Sequence, residues 1–164
     1  MEQKYIYSFS QIEDKVKALH ETNTEAAAAV ALSWLGLSRD ELKTLRVSDY
    51  NSTMRMLHSA GRVVYVREDL IADMLKAICE EAPEYSMGFF ITDVNSAYEA
   101  AEKQELSPIS VLKMRYFYEK HSAKLSGEPE DRVFLKEILR SVGESEADME
   151  KQFAEYEKDA PENK

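Results

Sequence analysis

Apolar residues in the first quarter of the chain recur at three- and four-residue intervals, the spacing of one helix face. Residues 12–19 follow this spacing and predict a first helix. A second helix is predicted over residues 25–35, with Thr24 as its cap and Gly36 at its end. Because this second segment is rich in alanine, neighbouring elements can approach it closely, and we expect it at the centre of the fold.

The pattern then changes from a helical period to an alternating one. Ser38 and Glu41 have the spacing of a capping box and predict a short third helix. Residues 52–57 and 62–66 are predicted to be two strands, because valine and tyrosine favour extended backbone. Residues 58–61 between them supply the turn, which makes the pair a hairpin.

Helical spacing returns in the second half of the chain. Residues 68–80 carry an apolar stripe and predict a helix, whereas residues 88–92 are either a strand or a buried turn. Pro108 favours a helix start, since the first helical position needs no amide partner. The later helices are predicted over residues 95–104, 107–125, 130–142 and 145–158.

These elements predict a mainly α fold with a small antiparallel β-hairpin sheet, in the α+β class. The 164 residues suit one domain of ordinary size, which we expect over residues 1–160, with a frayed tail over 161–164. No run approaches the ~18 apolar residues of a membrane span. Residues 1–10 lack the basic and apolar regions of a signal peptide, so we expect a cytoplasmic protein with no membrane partner.

The most specific motif lies in residues 36–49. Its residues are Gly36, Glu41, Leu42, Leu45 and Asp49. This spacing resembles the catalytic domain of tyrosine recombinases, the phage integrase family, which has a catalytic Arg two residues after the Gly. Ser38 stands at that Arg position, and Arg39 is next to it. The order of predicted elements resembles the same family over nearly the whole chain, which implies the fold of its catalytic domain.

Two further segments extend the resemblance. Arg115 stands at the position of the family's second catalytic Arg, whereas Leu112 replaces the family's His. Gly143 and Glu144 stand where the family has Gly-His. Nine residues beyond that His position, where the nucleophilic Tyr belongs, this chain has Phe153.

The resemblance implies an activity that these substitutions remove. In the family, Tyr attacks a DNA phosphodiester, two guanidinium groups stabilise the developing charge, and His and Lys manage protons. Phe153 has no oxygen with which to attack, Ser38 carries no charge, and Glu144 repels a phosphate. The nearest groups to the family's hairpin Lys are Arg62 and His58. Each loss costs on the order of 10²-fold in rate, so we expect no catalytic residues at the family positions.

A shifted active site is the alternative. Tyr156 lies three residues after Phe153, nearly one turn along the same helix face, and Arg39 would stand in for Ser38 after a remodelled turn. The interpretation without catalysis is that Tyr156 is a packing or surface aromatic. Under the same interpretation, Arg115 pairs with a carboxylate.

Charge constrains the partners. The formal net charge is -10, and an overall acidic field disfavours DNA, which is bound through Lys and Arg. Residues 103–140 carry 8 bases and 6 acids, so a DNA-facing surface is expected there if one exists. The candidate DNA-contacting residues lie on the long predicted helix and are Arg115, Lys113, Lys120 and Lys124. The alternative interpretation is that this helix face is only solvated.

No metal or cofactor is expected. The histidines are isolated, and Cys79 is the single cysteine, which we interpret as a small buried apolar residue. The C-terminal helix carries Met149, Phe153 and Tyr156 among many acids. This stripe predicts docking either on the same chain or on a second copy, which the family's C-terminal helix often does.

The sequence therefore predicts a catalytically inactive, integrase-like interaction or regulatory module with a protein partner. The alternative is a divergent DNA-binding protein of the DNA integration and recombination class, working with a full-length recombinase. The resemblance begins almost at Met1, so we expect no separate DNA-clamping domain.

Overall fold

The chain folds mainly into helices, with one small sheet. The computed structural model describes residues 9, 12–59, 61–81, 88–126, 138–140 and 142–159, apart from the side chains at 62, 118–126, 153 and 155–159. The helices are α1 (Glu13–Thr22), α2 (Thr24–Trp34), α3 (Arg39–Thr44), α4 (Asp69–Glu81), α5 (Val94–Lys103), α6 (Pro108–Ser126) and α7 (Glu146–Asp159). The strands are β1 (Tyr50–Asn51), β2 (Met56–Ser59) and β3 (Arg62–Tyr65). This confirms the mainly α, α+β class.

Helix α2 is the centre of the packing, as its alanine content predicts. Residues 26–34 are buried without interruption, so this helix is covered on every side. It contacts α1, α5 and α6, and more weakly α4. Small side chains let these neighbours approach its backbone, which explains how a helix with little apolar volume of its own organises the core.

The two ends of α2 are stabilised differently from one another. Its cap is Asn23, whose side-chain oxygen accepts a hydrogen bond from the amide of Ala26 at 3.0 Å. The prediction of Thr24 as the cap is therefore wrong by one residue, because Thr24 is already helical. At the other end, Gly36 takes a φ of +98° and its amide donates to the carbonyl of Ser33 at 2.9 Å, as predicted for a closing glycine.

The sheet has three strands rather than the two that were predicted. Its order is β1-β2-β3 and both pairs are antiparallel. Tyr50 pairs with Leu57, which adds a short first strand to the hairpin. Ser59 pairs with Arg62, so two residues connect β2 to β3, and Gly61 turns there with a φ of +78°.

The predicted bounds of the hairpin need correction. The first strand was predicted over residues 52–57, but 52–55 form the turn between β1 and β2. Arg55 ends that turn with a φ of +55°, which is incompatible with an extended strand. His58 and Ser59 were placed in the second turn and instead belong to β2. The first strand of the sheet already begins at Tyr50, so the chain turns at residues 52–55, where a strand was predicted.

The later elements agree with the predictions. Helix α4 buries Ile71, Met74 and Leu75, which belong to the predicted stripe. Of the two alternatives for residues 88–92, the structure has a buried turn with one isolated bridge between Phe89 and Arg46. The predicted helix over 130–142 lies largely outside the described residues. Among the described helices, none is both long enough and apolar enough to cross a membrane.

Candidate functional site

Ser38 starts helix α3. Its hydroxyl accepts from the amide of Glu41 at 3.2 Å, and its own amide donates to Glu41 Oε1 at 2.9 Å. This is the predicted capping box, and it is confirmed. The second carboxylate oxygen of Glu41 accepts from the hydroxyl of Ser59 at 2.9 Å, so the cap also ties α3 to β2. Ser38 therefore stabilises the start of α3, and its capping partner Glu41 also bonds the neighbouring strand.

Arg115 is buried against the end of α2. Its guanidinium donates to the carbonyl oxygen of Trp34 at 2.8 Å and lies 5.3 Å from the centre of the Trp34 ring. Trp34 is the last residue of α2, where carbonyl groups have no partner within the helix and a cation is favoured by the helix dipole. Arg115 thus stabilises a helix end, and Leu112, one turn earlier on α6, is buried in the core.

Glu144 and Lys113 are brought together, although they were assigned to different roles. Glu144 Oε2 and Lys113 Nζ lie 2.5 Å apart, and Lys113 Nζ also donates to Gln152 Oε1 at 3.3 Å. Gln152 Nε2 donates to the other oxygen of Glu144. The hydrogen bond from Lys113, followed by that from Gln152, lowers the pKa of Glu144. This cluster joins α6 to α7, and with the buried Met149 it packs α7 on its own chain.

Arg39 lies on the exposed side of α3, next to α5. Its guanidinium lies 4.7 Å from the centre of the Tyr98 ring and donates to Asn95 Oδ1. Tyr98 itself is buried, and this burial raises the pKa of its hydroxyl. Arg39 thus contacts Tyr98 and Asn95, whereas Arg115 contacts the ring and the carbonyl of Trp34.

Four predicted site residues fall where side chains lie outside the described part of the structure. All four lie on the two long helices of the second half of the chain: Lys120 and Lys124 on α6, Phe153 and Tyr156 on α7. The helix assignment of all four agrees with the prediction. Their proposed roles, a phosphate stripe and an alternative nucleophile, stay predictions.

The structure adds a basic row that sequence reasoning missed. Arg39 and Lys43 are exposed and lie one turn apart on α3, and Arg46 is exposed two residues after that helix ends. The guanidinium of Arg46 lies 4.3 Å from the centre of the Phe89 ring, just as that of Arg39 covers Tyr98. The i, i+4 spacing of Arg39 and Lys43 on the predicted third helix was a signal in the sequence, whereas nothing local indicated the contact of Arg46 with Phe89.

Two shallow depressions border this row. One, of about 180 Å³, lies between α3 and the start of α5 and is lined by Lys43, Phe89 and residues 91–95. Anions are disfavoured there, because two carboxylates already occupy the amides at the start of α5. Glu25 accepts from the amide of Thr92 at 3.0 Å, and Asp93 accepts from that of Ser96 at 3.1 Å, which lowers the pKa of Asp93.

The second depression, of about 260 Å³, lies between α3 and the sheet. Thr44, Asp49, His58 and Ser59 are among its lining residues. Within the described residues, no group of three or more His, Cys, Asp or Glu side chains is placed to hold a metal ion. Cys79 is half-buried, donates weakly to the carbonyl of Val47 at 3.5 Å, and burial raises the pKa of its thiol.

Comparison with known proteins adds no further constraint. No family model, no curated protein and no solved structure matches this chain.

Proposed function

We propose that this chain is a catalytically inactive module, similar in fold to the catalytic domain of tyrosine recombinases, and that it acts by binding a protein partner. One observation carries the proposal: the side chains at the family's catalytic positions that the structure describes stabilise the fold. Ser38 caps α3, Leu112 lies in the core, Arg115 bonds the end of α2, and Glu144 pairs with Lys113.

These contacts are costly to exchange for a phosphate. If Arg115 turned towards a substrate, the buried carbonyl of Trp34 would lose its donor, which costs about 1–3 kcal/mol. Glu144 places a carboxylate beside Lys113 and so neutralises the nearest cation of α6. Phe153 supplies no hydroxyl at the nucleophile position. At each of these positions, the group that phosphoryl transfer needs is therefore either missing or already bonded within the fold.

The test is covalent trapping on nicked DNA, with an active tyrosine recombinase and its own nicked site as the positive control. We expect no protein–DNA adduct on denaturing gels, because a phosphotyrosyl link needs an activated Tyr. The proposal is wrong if an adduct forms with the wild-type chain and disappears in Tyr156→Phe. Loss in Tyr156→Phe but not in Tyr118→Phe would place the shifted nucleophile on α7.

A second candidate function is nucleic-acid binding, and the basic row favours it. Two exposed cations on α3 and a third just after it, two of the three beside aromatic rings, have the composition of a phosphate-contacting surface. In this interpretation the contacts come from Arg39, Lys43 and Arg46. The earlier candidate Lys113 is already paired with Glu144.

Its test is a titration with a labelled DNA duplex and single strand at low salt. The variant Lys43→Glu/Arg46→Glu is compared with Lys15→Glu/Lys17→Glu, which makes the same charge change on exposed positions of α1. Nucleic-acid binding requires an affinity that falls with salt, by a logarithmic slope of about 0.9 per phosphate contact. It also requires that only the α3 variant loses binding. Equal loss in both variants would indicate a response to net charge alone.

A further inference from the structure

The exposed large hydrophobic side chains of the described residues converge on one place. Met54, Val63 and Tyr65 are 63%, 41% and 58% exposed, and all three lie on or beside the hairpin of β2 and β3. Val64, between the last two, is buried, so Val63 and Tyr65 share the face that points away from the core. We name Val63 and Tyr65 the outer sheet face, and Met54 lies in the turn that precedes β2. Such clustering on an otherwise polar surface marks an interaction site.

Within the part of the chain that the structure describes, some backbone groups beside this face have no hydrogen-bond partner. The amide of Val66 donates to the carbonyl of Arg55 at 2.9 Å, and antiparallel ladders bond at every second pair. By the observed register, Val64 therefore bonds to Leu57 on β2. The amides and carbonyls of Val63 and Tyr65 point the other way, towards the free edge of β3, beyond which the described residues place no strand.

Charge distinguishes this region from the rest of the molecule. Residues 46–67 contain four arginines and one aspartate, a formal charge of +3. The remaining residues contain 17 bases and 30 acids, a formal charge of -13. Arg67 is exposed directly after β3, and Arg55, on the other side of the face, pairs with Asp69 at 2.9 Å. By formal charge, the segment that contains the hairpin is therefore basic within an acidic chain.

We propose that the free edge of β3 binds an extended segment of a partner protein, with apolar residues at alternate positions and acidic residues flanking them. The segment adds a fourth strand, its amides and carbonyls bond to Val63 and Tyr65, and its apolar side chains extend the outer sheet face. Its carboxylates face the basic surroundings of the hairpin. This inference rests on the proposed interaction function and names the surface that performs it.

Two other occupants fit the surface less well. A nucleic acid offers phosphates to the arginines, but a phosphate only accepts hydrogen bonds, whereas this edge presents donors and acceptors in alternation. A second copy of the chain would place two copies of the segment 46–67, each of formal charge +3, side by side, which opposes a symmetric pairing of β3 with itself. An extended peptide with acidic side chains fits both features. Its backbone alternates amide donors with carbonyl acceptors, and its carboxylates are opposite in charge to the arginines.

The test uses the full chain and a fluorescein-labelled peptide, Glu-Glu-Val-Thr-Val-Glu-Glu, followed by fluorescence anisotropy. We expect binding that weakens with salt, and no comparable binding of the peptide in which Lys replaces every Glu. N-methylation of one valine removes an amide that points at β3 and should weaken binding about tenfold. N-methylation of the threonine, whose amide points away, should leave the affinity within about twofold.

A residue-level readout comes from amide hydrogen exchange by NMR. Peptide addition should slow the exchange of the amides of Val63 and Tyr65, while that of Val64, already bonded to β2, changes little. Arg67→Glu should weaken binding about threefold, whereas Lys15→Glu on α1, with the same charge change, should have a smaller effect. Both variants alter exposed residues, so the fold is expected to be kept.

Several outcomes overturn the proposal. Absence of binding at about 1 mM peptide does so, as does equal binding of the two N-methylated peptides or of the Lys peptide. Protection of Val63 and Tyr65 by duplex DNA instead assigns the surface to nucleic acid, and protection that grows with protein concentration alone assigns it to a second copy. If the peptide does not bind and no covalent DNA adduct forms, the assignment of this surface is wrong, but the proposed function is not contradicted. A covalent DNA adduct would remove the proposed function itself.

Discussion

The surroundings of α2 and the outer sheet face use their polar groups in opposite ways. At the C-terminal end of α2, two groups of Trp34 are bonded by distant residues: Arg115 donates to its carbonyl, and its indole donates to Glu68 at 3.0 Å. At the edge of β3, backbone groups of Val63 and Tyr65 have no such partner in the described residues, and their side chains are exposed.

This difference separates residues that resemble catalytic ones from residues that are available for binding. The positions that carry the recombinase resemblance lie mostly in the first region, where the fold has already used their chemistry. The sheet carries little of that resemblance, yet it offers hydrogen-bonding groups, apolar surface and net positive charge together. A functional search guided by the resemblance alone would therefore examine the less available region.

The largest effect that sharpens this comparison is expected for Arg115→Ala. It leaves the Trp34 carbonyl without its donor, removes the cation near the Trp34 ring and opens space under α2. We expect a loss of about 3 kcal/mol in the free energy of unfolding, measured by urea denaturation followed by circular dichroism. The matched control is Arg67→Ala, an exposed arginine beside the sheet, for which we expect a change within about 0.5 kcal/mol.

A similar loss in the free energy of unfolding for Arg115→Ala and Arg67→Ala would contradict the proposed difference between the two regions. A loss below about 1 kcal/mol for Arg115→Ala would mean that the end of α2 does not depend on this donor. Arg115→Lys keeps the charge but not the planar set of donors, so it should recover only part of the lost stability.

A smaller effect is expected at the start of α2. Asn23→Ala removes the cap to the Ala26 amide and should cost about 1 kcal/mol. Thr24→Ala removes the hydroxyl that the sequence pattern indicated as the cap, and should change the free energy of unfolding by less than about 0.5 kcal/mol. Urea denaturation of both variants compares them directly, and the reverse order of costs would contradict the observed cap.

These two adjacent residues illustrate what the sequence could and could not predict. The helices, the central position of α2 and the capping box at Ser38 follow from local spacing, and all were predictable. The cap at Asn23 differs from the predicted one because Asn and Thr are both good caps, and only the backbone angles decide between them. The partner of Arg115 lies 81 residues away in sequence, so no local pattern indicated the carbonyl of Trp34. For the same reason the pairing of Lys113 with Glu144 was missed.

The smallest effect concerns that pair and depends on pH. The pKa of Glu144 is lowered by its hydrogen bond from Lys113, so the folded state binds this proton more weakly than the unfolded chain does. The contribution to stability is therefore present above the ordinary Glu pKa of about 4.3 and is lost as pH falls through the lower folded value. Glu144→Gln should cost about 0.5 kcal/mol at pH 7 and progressively less as pH falls below about 4.3, as measured by urea denaturation at each pH. Glu21→Gln makes the same change at an exposed position of α1 and is the matched control. A gap for Glu144→Gln that stayed constant with pH would show that the ion pair is not its source.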